Sequence, residues 1–116
     1  MDDGITPDEF HASEGVEDWR VLGEGAYAMW RTASLAESAR LVEAITRIEG
    51  VEDHRPDVDI RPPGVTVRLL TRSGDWYGMT RRDLELARRI SAAARELGLV
   101  ADPGAVQSLL LVVGAP

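Results

Sequence analysis

Glu52 to Pro56 sets two acids, a histidine, an arginine and a proline just ahead of an alternating run, in the stretch EDHRPDVDIR. His54 is one of two histidines in the chain. An imidazole accepts and returns protons near neutrality, so His54 is the first candidate for acid/base chemistry. Without further context, the plainer reading of His54 is a loop histidine in a surface hydrogen bond. Trp76 and Tyr77 could form a stacking wall for a flat heterocycle, or anchor a loop to a sheet. Arg82 and Asp83 open a helix, where a carboxylate caps backbone donors and an arginine pairs with surface acids. His11 falls on a short surface helix and is expected to be solvated.

The elements that must hold these residues follow from periodicity. Thr6-Pro7-Asp8-Glu9 reads as a capping box with proline at the first helical position, opening a helix that ends by about Gly15. Trp19 to Leu22 and Ala26 to Thr32 alternate around a glycine-rich turn, which predicts a hairpin with the Trp30 side facing the core. Ser34-Leu35-Ala36-Glu37 reads as a second capping box opening a helix whose stripe is Leu35, Ala39, Val42 and Ile45, widened by Leu41 and Ile48, with Gly50 as its stop. Val58 to Arg61 and Val65 to Thr71 form a second hairpin about Pro62-Pro63-Gly64, a turn with preset φ followed by a free one. Arg72 to Gly78 is read as a loop. Thr80 and Asp83 close a third capping box on a helix striped by Leu84, Ala87, Ile90, Ala94 and Leu97, and Gly98 stops it. Leu109 to Val113 is an apolar tail suited to an extra strand or a partner surface.

The expected architecture is α+β, a four-stranded antiparallel sheet from two hairpins with helices packed on one face, plus a strand-like C-terminal tail. Residues 1–100 would form one domain and 101–116 an extension, either an added strand or the start of a further domain.

Composition narrows the chemistry. The 116 residues carry a formal charge of -7, with 44% hydrophobic and 28% charged residues, an ordinary balance for a soluble domain. Acids and arginines are interspersed, which argues against nucleic-acid or membrane-surface partners. The chain has no cysteine, which leaves no thiolate nucleophile or disulfide and makes a cytoplasmic address the default. All of its basic residues are arginine, so Schiff-base chemistry through lysine is excluded.

With these motifs in place, the chain resembles the pterin-4a-carbinolamine dehydratase family from about Trp19 to Leu97. The resemblance is carried by EDHRPDVDIR, VTVRLLT and GMTRRDLELARRI. It implies a small dehydratase without metal or organic cofactor, acting on a 4a-hydroxytetrahydropterin and assembling as a homodimer or homotetramer. The family signature is His-His-Pro, a further histidine before the last helix, and an Arg-Asp pair opening that helix. His54 and Pro56 match the first histidine and the proline, and Arg82 and Asp83 match the pair. Arg55 stands where the second histidine belongs, and Gly74, or Ser73 with a shift, where the third does. Arg55 is permanently charged and can stabilise an anion but not carry a proton.

The resemblance thus implies His54, Arg55 and Asp83 as catalytic, and Asp53, Pro56, Trp76, Tyr77 and Arg82 as binding a pterin-like ligand. The alternative is a catalytically inactive pterin-binding, dimerisation or assembly module on the same fold.

Overall fold

A computed structural model describes residues 3 to 106 apart from Glu24. The elements are β1 (Gly4–Ile5), α1 (Pro7–His11), β2 (Arg20–Leu22), β3 (Gly25–Arg31), α2 (Leu35–Thr46), β4 (Asp57–Arg61), β5 (Gly64–Leu69), β6 (Thr71–Ser73), β7 (Trp76–Thr80), α3 (Arg81–Glu96) and β8 (Val100–Ala101), with a 3-10 turn at Val51–Asp53.

The two expected hairpins join into one antiparallel sheet in the order β2-β3-β5-β4. Trp30 stands opposite Val65 and Ala28 opposite Val67 across the central pair. Period-two alternation puts Ala26, Ala28, Trp30, Val65, Val67 and Leu69 on one face, each at most 1% exposed. That face meets Leu41 and Ile45 of α2 and Leu84, Ala87, Ile90 and Ala94 of α3 in a single core. Burying side chains of this size contributes roughly 1.5–3 kcal/mol each. Trp19 packs edge-on to Trp30 with ring centroids 5.7 Å apart, and its indole N–H donates to Ser91 Oγ at 2.8 Å, tying the sheet to α3.

Two further pairings enlarge this plan. β8 pairs with β3, Trp30 opposite Ala101, so the sheet runs across the expected boundary between residues 100 and 101. The stretch expected to be a loop, Arg72 to Gly78, is instead a hairpin: β6 pairs with β7, and β7 with β1, in a second three-stranded sheet. Its turn is Gly74-Asp75, with Gly74 at φ 61, the backbone a tight hairpin asks of its first turn residue. The stretch lacks apolar alternation because it is held by ladder bonds at the margin of the core, which hydropathy does not report.

Three smaller expectations also change. The buried stripe of α2 is Ser38, Leu41 and Ile45, while Leu35 is 75% exposed and Ala39 is exposed. A hydroxyl pair, Thr32 Oγ1 to Ser38 Oγ at 2.7 Å, lets a serine face the sheet and rotates the helix. On α3, Leu97 sits at the C-cap and is 41% exposed. Gly64 belongs to β5, where a Cβ would lie 2.1 Å from the Trp30 carbonyl; close strand approach requires this glycine, not a free φ. The apolar tail Leu109 to Val113 lies outside the described residues.

Candidate functional site

His54 follows the 3-10 turn and precedes β4. Its backbone N–H donates to the Val51 carbonyl at 3.2 Å, and Gly50, at φ 84, starts the turn in the left-handed region. Two consecutive residues of α3 hold this turn. Arg82 Nη2 donates to the Gly50 carbonyl at 3.3 Å, and Asp83 Oδ1 lies 2.6 Å from His54 Nε2. Arg82 therefore contacts the backbone that carries the histidine.

Asp83 is fully buried and its carboxylate is surrounded by donors. Oδ2 accepts from the Thr71 hydroxyl at 2.6 Å, the Thr80 backbone N–H at 2.9 Å and the Thr80 hydroxyl at 3.1 Å. The capping box at Thr80 and Asp83 forms as expected, and Asp83 caps the helix and contacts His54 at once.

These contacts assign the imidazole protons. The Thr71 hydroxyl has one hydrogen, and its shortest contact gives that hydrogen to Asp83 Oδ2. Thr71 Oγ1 therefore acts as an acceptor toward His54 Nε2, 3.2 Å away. Asp83 Oδ1 is also an acceptor, so both contacts require Nε2 to carry a proton. In the neutral ring Nδ1 then bears the free lone pair. Among the described residues Nδ1 has no hydrogen-bond partner, and it is not a buried unsatisfied atom, so it reaches solvent. The side chain as a whole is 15% exposed.

The surface that His54 meets is an open groove of about 410 Å³, lined by Asp53, His54, Arg55, Asp57, Arg68, Leu70 and Arg72. Asp57 and Arg68 pair across β4 and β5, with Arg68 Nε donating to Asp57 Oδ2 at 2.7 Å. The Asp57 carboxylate first, and the Tyr27 hydroxyl next, push the Arg68 guanidinium above its usual pKa. Arg55 sits 3.7 Å from Glu52, with both side chains more than 70% exposed, a weak surface pair.

Of the residues singled out from sequence, His54, Arg55 and Asp53 share the groove, and Asp83 stands behind the histidine. Pro56 lines an adjoining apolar cleft of about 140 Å³ with Val42, Ile45, Val51 and Val58, and Arg55 borders both spaces. Trp76 and Tyr77 do not line the groove. Trp76 lies against Gly78, and Tyr77, 50% exposed, stands opposite Arg72 in the β6–β7 ladder. His11, expected to be solvated, accepts from the edge-strand N–H of Val21 through Nε2 at 3.2 Å.

Sequence reasoning missed Thr71, Thr80 as a side-chain donor to the cluster, and the groove residues Arg68 and Arg72. Thr71 had a readable signal. It continues the inward row Val65, Val67, Leu69, so a hydroxyl was due at the margin of the core.

A model of the family described as pterin 4 alpha carbinolamine dehydratase matches residues 4–93. The chain belongs to the pterin 4 alpha carbinolamine dehydratase family. It is similar to a protein of Nocardia farcinica (strain IFM 10152) named "Putative pterin-4-alpha-carbinolamine dehydratase", at 33% identity over 84 residues, covering 72% of this chain and 86% of that protein. A protein of the same name from Paracidovorax citrulli (strain AAC00-1) is 32% identical over 81 residues, covering 66% of this chain and 68% of its own length. The α+β architecture agrees with membership of the dehydratase family. Among the described residues no group of three or more His, Asp or Glu side chains converges as a metal site requires, and no helix is long and apolar enough to cross a membrane.

Proposed function

We propose that this dehydratase-family protein removes water from a 4a-hydroxytetrahydropterin, with His54 as its sole proton carrier and no organic cofactor. The observation that carries the reading is the fixed tautomer of His54: Asp83 and Thr71 hold Nε2–H, and the Nδ1 lone pair is free toward solvent. Nδ1 takes the proton from the ring nitrogen adjacent to the carbinolamine carbon. As the C–O bond breaks, the nitrogen electron pair forms a C=N bond. The imidazolium returns its proton to the departing hydroxide, giving water and the neutral ring. Asp83 stabilises the imidazolium, as a buried carboxylate paired with a histidine does. Arg55 stabilises the departing hydroxide electrostatically, and Asp53 supplies a carboxylate for heterocycle N–H donors. With one proton carrier, turnover is slow; each missing general acid or base costs about 100- to 10,000-fold.

Carbinolamine dehydration measured above the spontaneous rate tests this reading. His54→Ala should return the rate to background, and equal rates for both proteins would overturn it.

A second reading is a pterin-binding, dimerisation or assembly module without turnover. It is favoured by Arg55, which lies at the groove, is mostly exposed and, as a permanent cation, cannot relay a proton. Pterin binding with no rate above background would select it. Under either reading the protein acts in the cytoplasm as a homodimer or homotetramer. Support for self-association comes from edge strand β4, whose Val58 and Ile60 are 37% and 41% exposed, and from Leu35. A monomeric mass by light scattering would contradict it.

A further inference from the structure

Two of the three arginines of the groove have no close carboxylate partner among the described residues. Arg68 is committed to Asp57. Arg72, exposed on β6, has no ion-pair partner among the described residues. Arg55 has only the loose contact with Glu52 at 3.7 Å. After the Arg68–Asp57 pair is set aside, Arg55 and Arg72 present guanidinium donors at the groove that no carboxylate engages closely. These open guanidiniums sit on a chain whose formal charge is -7. A solvated arginine contributes little to stability, and two of them flanking a histidine with a free lone pair suit a ligand that brings negative charge.

We propose that the ligand of this groove carries an anionic group, phosphate or carboxylate, bound by Arg55 and Arg72 while its heterocycle faces His54. This deepens the pterin reading and rests on it for the ring, but not for the anion. Guanidinium forks bind either oxyanion in a bidentate manner, so the two chemistries share one site. Discrimination should weaken with salt, because both arginines are exposed.

The test is calorimetric titration of the full chain, at low salt, with four probes: a pterin with a neutral hydroxylated side chain, a pterin-6-carboxylate, a pterin with a phosphorylated side chain, and inorganic phosphate. At least one anionic pterin should bind about tenfold or more tighter than the neutral one, the size of a hydrogen bond to a charged group. Arg72→Gln should erode that advantage without changing the affinity of the neutral pterin, and Arg72→Lys should restore part of it. The ranking of carboxylate against phosphate identifies the group. Equal affinity of neutral and anionic pterins, unchanged by Arg72→Gln, overturns the inference and leaves the pterin reading intact. Phosphate binding that Arg72→Gln abolishes, with no added affinity from any pterin ring, supports the anion and overturns the pterin reading. No binding by any probe overturns both.

Discussion

Replacing Asp83 with asparagine should move the proton of His54 from one ring nitrogen to the other. Oδ2 of Asp83 accepts three hydrogen bonds, from the Thr71 hydroxyl at 2.6 Å and from the Thr80 N–H and hydroxyl at 2.9 and 3.1 Å. An asparagine keeps its carbonyl oxygen at that position, because turning the amide over would set NH2 against all three donors. At about 1 kcal/mol net for each bond, the wrong orientation costs about 3 kcal/mol, more than a hundredfold in population. The amide N–H then points at His54 Nε2, where Oδ1 now accepts at 2.6 Å. A donor facing a donor is untenable, so Nε2 gives up its proton, Nδ1 becomes protonated, and the lone pair is lost from the groove. The same exchange in the aspartate–histidine pair of a hydrolase triad lowers turnover by about 10,000-fold through the wrong tautomer. Nitrogen-15 NMR of the imidazole reads the tautomer directly, without requiring activity. The wild-type ring should show a protonated Nε2 and a bare Nδ1, with the reverse in Asp83→Asn. A wild-type proton on Nδ1, or no exchange in the variant, would refute the reasoning.

Two further outcomes follow from the contacts. Thr71→Val keeps the shape but removes a donor to the buried carboxylate, so it should cost about 1.5–3 kcal/mol and lower the melting temperature by roughly 5–15 °C; Thr71→Ser should cost under about 1 kcal/mol, and equal losses in thermal unfolding would contradict the hydrogen-bond account. Asp102 is held below the usual carboxylate range, chiefly by the Ala105 N–H and then by Arg31, so its contribution is present above the unfolded pKa and fades as pH falls through the lower folded value. Hydrogen exchange at Val100 to Ala105 should therefore speed up in acid below about pH 4 relative to the sheet, and Asp102→Asn should show the faster exchange already at neutral pH.

The core was legible because its signals are local. Trp30, Val65, Val67 and Leu69 are buried as alternation requires, and the capping residues Thr6, Thr80 and Asp83 bond as their spacing demands. What stayed illegible was held by polar and ladder bonds that hydropathy does not report, even between residues near in sequence. Strands β6 and β7 carry little hydropathy pattern, and the inward face of α2 turned on the Thr32–Ser38 hydroxyl pair. Trp76 and Tyr77, conspicuous by type, proved to lie off the groove, whereas Arg68 and Arg72, unremarkable in the sequence, line it.

By itself the sequence determined the two hairpins and their core face, the helix starts, the His54 motif, and the absence of thiol and lysine chemistry. These follow from residue type and from periods of 2.0 and 3.6, which any window of the chain contains. The tertiary structure alone decided which nitrogen of His54 is free. That choice depends on Thr71 and Asp83, 17 and 29 residues away, meeting one imidazole where β6 runs beside the first turn of α3. A hydrogen-bond direction is settled by counting protons among groups in contact, and only the folded chain supplies the contacts.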